Sequence, residues 1–161
     1  VLSGFDWRSI PLPLLFVQQR PGLRGELLDR GEVVWLVEIP ADLRGRLTPR
    51  ARDLFQPWGT QADTIFLARV LHDWDDSEAL RILQRAREAL NPGGRIYVIE
   101  LVLGSTDEDM GGGLLDLHML VTTGGRERTE AEFRSLFERA GLRLVERPHA
   151  SSSINSILIG A

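Results

Sequence analysis

The sequence has no cysteine among its 161 residues. Disulfides, a thiolate nucleophile and a zinc–thiolate centre are thereby excluded, and the absence fits a reducing, cytoplasmic setting. Long hydrophobic runs are also missing. The longest unbroken apolar stretch near the start is Leu14-Leu15-Phe16-Val17, far short of the about 20 residues that cross a bilayer as a helix. No basic segment precedes it, so it does not read as a secretory signal. There is no excess of positive charge. The net charge is -4, whereas a nucleic-acid binder presents a basic face to phosphates. The arginines alternate with acids along helices, the pattern of solvated faces. No dinucleotide-type glycine fingerprint follows a strand, which leaves a nicotinamide-dependent dehydrogenase without support. The expected partner is a small molecule, with no nucleic acid and no membrane.

What is present reads as one α/β domain. Hydrophobic residues make up 43% of the chain and charged residues 26%, enough for a single real core. The chain begins on the apolar pair Val1-Leu2, which reads as a fragment of a longer protein or one half of a split one. Leu12 to Arg20 fits a short helix with proline in its first turn. Leu23 to Asp29 reads as a strand ending in an acid. Glu32 to Leu47 is open: Val33-Val34-Trp35-Leu36-Val37 looks β-like, yet a helix normally follows a strand in this architecture. Pro49 to Gln61 looks like a loop, with Asp53 and Leu54 near its start. Asp63 to Leu71 is the clearest strand. Asp75, Asp76 or Ser77 can cap the next helix, whose Ala79, Leu80, Leu83, Ala86 and Leu90 follow helical spacing until Asn91-Pro92-Gly93-Gly94 stops it.

Arg95 to Leu103 is a second strand carrying Glu100. A Gly- and acid-rich loop and a helix from Leu114 to about Val121 follow. Thr129-Glu130-Ala131-Glu132 has the capping-box pattern for a helix ending at Gly141. Leu142 to Glu146 and Ile154 to Ile159 are two final strands. Alternating strands and helices imply a mostly parallel sheet covered on both faces. The consecutive pair at the end implies a β-hairpin, with one antiparallel strand at the C-terminal edge.

The richest segment is Arg69-Val70-Leu71-His72-Asp73-Trp74-Asp75-Asp76. A histidine just past the C-terminal end of a buried strand sits where open α/β sheets bind ligands, and it can move a proton near neutral pH. Glu100, in a strand that looks buried, demands a partner. Glu127, between Arg126 and Arg128, reads on its own as part of a solvated charge run.

Leu71-His72-Asp73-Trp74-Asp75-Asp76, Pro92-Gly93-Gly94-Arg95, a strand ending in Ile99-Glu100, and Gly124-Gly125-Arg126-Glu127-Arg128-Thr129 occur in that order. Together they resemble the S-adenosylmethionine-dependent O-methyltransferases of the plant caffeate type and their bacterial secondary-metabolite relatives. The likeness runs from about Pro21 to the C-terminus. It implies a Rossmann-like class I methyltransferase sheet, with residues 1–161 as the catalytic domain and the family's helical N-terminal dimerisation domain absent. It implies S-adenosylmethionine as cofactor and a small aromatic or polyketide-like hydroxyl as acceptor.

The same resemblance implies roles for individual residues. His72 is the general base, and Glu100 and Glu127 are the carboxylates that flank it. Gly4, Asp29, Asp53, Leu54 and Arg69 lie on the cofactor side, with Asp29 on the ribose and Asp53 and Leu54 beside the adenine. Asp73, His118 and Met119 lie toward the acceptor, although ordinary packing also accounts for the last two. No metal is required. The chemistry is an in-line displacement at a sulfonium, which needs two reactants held collinear and one proton removed.

Departures from the family pattern fall on the cofactor side. The loop matching its glycine-rich turn is Gly4-Phe5-Asp6-Trp7-Arg8-Ser9-Ile10, with a single glycine, and Trp7 and Arg8 are expected to project into the donor's space. Ala68 stands where lysine is common, and Arg52 replaces a glycine. Three functions compete: an O-methyltransferase domain, a degenerate relative with other chemistry or metabolite binding, and a subunit of a split enzyme. A homodimer, or a separate N-terminal partner chain, accompanies these readings.

Overall fold

The computed structural model describes residues 12–104, 110–146 and 156–161. Helix α1 (Leu12–Gln19) precedes β1 (Gly25–Asp29), which pairs in parallel with β2 (Leu47–Ala51). Between them lie the short helix α2 (Gly31–Val34) and a 3₁₀ turn at Ala41–Leu43. The β-like run Val33–Val37 is therefore not a strand, and Trp35 and Leu36 are exposed. Strand β2 includes Pro49, in the segment expected as loop. Its own β propensity is weak, and pairing to β1 from one side makes it a strand. An edge position of this kind tolerates proline's missing donor.

Strand β3 (Ala62–Ala68) pairs in parallel with β4 (Leu90–Glu100). Between them runs α3 (Asp76–Glu88), capped by Asp75, whose carboxylate accepts the N–H groups of Ser77 and Glu78. Ile65, Leu67, Ile96 and Val98 are fully buried with Ile82 and Leu83 of α3. The alternate residues Phe66 and Tyr97 stack at 5.1 Å, and Phe66 stacks on Phe16 of α1 at 4.7 Å. Period-two alternation thus covers both faces of the β3–β4 pair.

A parallel two-residue ladder joins β5 (Val102–Leu103) to β6 (Arg128–Thr129). Helix α4 (Met110–Thr122) lies between these strands, and α5 (Glu130–Arg139) follows directly. Thr129 and Glu132 form the expected capping box. Phe133, Leu136 and Phe137 of α5 complete the main core.

The final hairpin corrects one expectation. The antiparallel strand is β8 (Ser156–Gly160), and it lies between β4 and β7 (Leu144–Glu146), in the order β3-β4-β8-β7. Among the described residues the edge belongs to β7, which runs parallel to β4. Apolar Ile157, Leu158 and Ile159 suit the enclosed place, and Leu158 is fully buried. The three-residue β7, with exposed Val145, suits the edge.

Candidate active site

Two parallel strand pairs, β1–β2 and β3–β4, supply the C-terminal ends that the candidate residues follow. Asp29 closes β1, Asp53 follows β2, Arg69 and His72 follow β3, and Glu100 closes β4. The turn after β3 is tight. Arg69 is the one non-glycine residue with positive φ, at 53°, among the described residues. Such a backbone costs of order 1–3 kcal/mol in a side-chain-bearing residue. Its N–H still bonds to the Ile99 carbonyl at 3.0 Å, so the kink begins while the sheet ladder holds. A 3₁₀ turn, Leu71–Asp73, then carries His72.

Glu100 is fully buried beneath this turn. Its Oε1 accepts the N–H groups of Val70 at 2.9 Å and Leu71 at 2.8 Å. Burial pushes its carboxyl up to about 6, against the pull of His72, Arg69 and those two N–H groups. Glu127 is 1% exposed and reaches the histidine from the residue just before β6. Its Oε1 lies 3.3 Å from His72 Nδ1. An ionised carboxylate only accepts, so this contact sets the proton on Nδ1. Burial would raise the Glu127 carboxyl, but the His72 hydrogen bond and the Arg69 charge outweigh it and hold it below the usual range.

Arg69 spans both acids. Its Nη2 donates to Glu127 Oε1 at 3.2 Å, and its Nη1 lies 3.6 Å from Glu100 Oε2. The second oxygens of Glu100 and Glu127 are buried without a hydrogen-bond partner. On the other side of the ring, Nε2 lies 3.5 Å from Asp73 Oδ1. Burial raises the Asp73 carboxyl, with His72 and Arg69 opposing. Both ring nitrogens therefore face acids. His72, Glu100 and Glu127 are of metal-ligating types, with candidate ligand atoms within 4.8 Å of one another. The positive charge between the two carboxylates is the Arg69 guanidinium, so the residues present do not fit a metal centre.

Three contributors escape a reading of the sequence alone. Arg128 is fully buried, and its guanidinium donates to the carbonyls of Leu71 and Trp74, both at 2.8 Å, and to Asp76 at 2.9 Å. Asp116 of α4 accepts the Glu127 N–H at 2.7 Å. Gly125 touches the turn itself: a Cβ there would lie 2.0 Å from the His72 carbonyl oxygen. The Arg126 N–H bonds to that same carbonyl at 2.9 Å. Only Arg126 of the Arg-Glu-Arg run faces solvent, where it pairs with Asp76 and Glu132. The solvated-run reading therefore fails for Glu127 and Arg128.

The remaining candidates are placed as follows. Asp29 is buried, and its Oδ1 accepts the Arg30 N–H at 2.7 Å. Asp53 is exposed and accepts the Phe55 N–H at 2.9 Å, while Leu54 sits in the main core. His118 is exposed and its neighbour Met119 is buried, so on α4 they point in different directions. Gly4, Trp7 and Arg8 lie outside the described residues. Two surface hollows, one beside Trp58 and Arg85 and one beside Arg87 and Arg139, are lined by none of the cluster's residues. No helix among the described residues is long and apolar enough to cross a membrane.

A mostly parallel α/β arrangement with an antiparallel strand inserted near its end is that of a class I methyltransferase domain. The chain belongs to the O-methyltransferase domain family, whose profile matches residues 15–143. It is 42% identical over 134 residues to a mitomycin biosynthesis 6-O-methyltransferase of Streptomyces lavendulae, covering 79% of this chain and 37% of the relative. It is 35% identical over 137 residues to the phenazine O-methyltransferase PhzM of Lysobacter antibioticus, covering 83% and 40%. Among solved structures it is similar to CalO1, a methyltransferase in calicheamicin biosynthesis in its SAH-bound form. The TM-score is 0.85 at 34% identity, covering 99% of this chain and 47% of that one. The chain thus spans less than half the length of these relatives.

Proposed function

We propose that this domain serves S-adenosylmethionine-dependent O-methyl transfer to a hydroxyl of a small aromatic or polyketide-like metabolite, with His72 as general base. The observation that carries the reading is the His72 Nδ1–Glu127 contact of 3.3 Å, backed by fully buried Glu100. With its Nδ1 proton held by Glu127, the ring presents Nε2 as the basic atom. The acceptor's hydroxyl proton moves to Nε2 as its oxygen attacks, and Glu127 and Asp73 stabilise the resulting imidazolium. Base catalysis of this kind contributes about 10²–10⁴-fold. The larger share comes from holding the two reactants in line.

The donor, when bound, supplies a methyl group from its sulfonium and leaves as a neutral thioether. Asp29 fits such a ligand: it is a buried acid at a strand's C-terminal end, of the kind that receives ribose hydroxyls. Asp53, at the neighbouring strand end, would meet the adenine side, with Leu54 anchoring its loop in the core. The names of the relatives, which work on phenazine and in mitomycin and calicheamicin biosynthesis, support an acceptor among bacterial secondary metabolites. The competing degenerate reading rests on Trp7 and Arg8.

Calorimetric titration with S-adenosylmethionine tests the donor half. Micromolar binding that weakens in Asp29→Ala supports it, and no heat with the intact chain overturns it. For the base, His72→Ala should retain donor binding and lose methyl transfer to a phenolic acceptor. Unchanged turnover in that variant would remove His72 from the reaction.

A further inference from the structure

We infer that Arg69 is a positioning residue: its guanidinium clamps the Glu127 and Glu100 carboxylates and thereby fixes the tautomer and tilt of the His72 ring. The inference rests on the reading of His72 as the base, and it differs from a cofactor-binding role for Arg69. The first observation is the backbone. At φ 53° this position would be filled without strain by glycine, and at little cost by asparagine. The turn alone therefore does not call for arginine, and the side chain must account for it.

The second observation is what that side chain touches. One nitrogen donates to Glu127 Oε1 at 3.2 Å, the same oxygen that faces His72 Nδ1, and the other lies 3.6 Å from Glu100 Oε2. Both acids are at most 1% exposed. The fully buried arginine, Arg128, is committed to Leu71, Trp74 and Asp76. Arg69 is thus the cation that faces the two acids.

The kink and the clamp form one device. Placing Arg69 in the left-handed region turns the next two N–H groups, of Val70 and Leu71, onto Glu100 Oε1, while the side chain sets its charge 3.6 Å from the opposite oxygen. Glu100 is thus hydrogen-bonded at one oxygen and ion-paired at the other, and Glu127 is hydrogen-bonded to the same guanidinium. A planar guanidinium reaches two carboxylates at once, which an ammonium matches poorly. The Glu127 oxygen that accepts the Nδ1–H hydrogen bond is therefore fixed in space by Arg69.

The test compares Arg69→Gly, Arg69→Asn and Arg69→Lys with the intact chain, using long-range ¹H–¹⁵N NMR of the histidine rings, with the His72 signals assigned from His72→Gln. The expected result is a single Nδ1-protonated tautomer in the unaltered protein. Arg69→Gly and Arg69→Asn should show mixed tautomers although their backbone is relaxed. Arg69→Lys should fall between, and added methylguanidinium should restore the pattern in Arg69→Gly. Calorimetry with S-adenosylmethionine should give the same affinity in Arg69→Gly as in the parent, with methyl transfer falling at least tenfold in kcat and little change in KM for the donor.

A His72 tautomer unchanged in both Arg69→Gly and Arg69→Asn overturns the proposal, as does selective loss of donor affinity with ring signals intact. If the parent chain binds no donor, the functional reading fails by itself, and the ring signals still decide the role of Arg69. If Arg69→Gly does not fold, Arg69→Asn and Arg69→Lys carry the same comparison.

Discussion

Replacing Glu100 with glutamine should change how the protein's stability depends on pH, in the direction opposite to that of a salt-bridged acid. Glu100 is fully buried and its carboxyl is pushed from 4.5 to about 6. The native state therefore holds this proton over a range in which the unfolded chain has released it. Below 4.5 both states carry the proton and the group is neutral in its effect. As pH rises from there through about 6, the unfolded state gains the advantage of ionising first, and the fold loses stability. At about 1.4 kcal/mol per pH unit, the displacement amounts to about 2 kcal/mol by neutral pH.

The Glu100→Gln variant keeps an oxygen for the Val70 and Leu71 N–H groups and has nothing to ionise. Its stability relative to the parent should thus rise by about 2 kcal/mol between about pH 4.5 and about pH 7.5. Urea denaturation of both proteins across that range measures the difference, and other acids cancel in the comparison. A difference that stays flat, or that falls as pH rises, refutes the reasoning that burial dominates over Arg69, His72 and the turn's two N–H groups.

Gly125→Ala should be among the most damaging single-methyl additions. Its Cβ would meet backbone atoms of His72, Asp73 and Trp74 at 2.0, 2.4 and 2.7 Å, so the turn must move bodily. A loss above about 3 kcal/mol, the upper end for overpacking, should appear in thermal denaturation, and wild-type stability would refute the close approach. Arg128→Met strips donors from the buried Leu71 carbonyl and the partly buried Trp74 carbonyl. With each orphaned group costing about 1–3 kcal/mol, the loss should be about 3 kcal/mol by urea denaturation, and a change under about 1 kcal/mol would show that water replaces the guanidinium.

The parts of the site legible in the sequence are those fixed by local pattern. A buried run ending in Ala68, a capped helix starting at Asp76 and a second run ending at Glu100 put His72 and Glu100 at strand ends. Long-range pairing was less legible. Leu47–Ala51 is a strand because β1 lies beside it, not through its own propensity. The hairpin was legible, but which of its strands enters the sheet depends on the fit of Leu158 beside β4. Arg126-Glu127-Arg128 misleads because alternating charge usually means solvent. Here the extended segment lies against the 71–74 turn, and two of its three charges are buried. Asp116 was invisible for a different reason: its partner is the backbone N–H of Glu127, which leaves no mark on composition or spacing.

The stitching between residues 125–128 and 71–74 has a mechanical consequence. The Arg126 N–H on the His72 carbonyl, Gly125 pressed on the turn and the Arg128 guanidinium on Leu71 and Trp74 couple two stretches far apart along the chain. The imidazole and its partner carboxylate therefore ride on a common rigid platform. Amide hydrogen exchange should therefore show residues 71–74 and 125–128 opening together, as one cooperative unit.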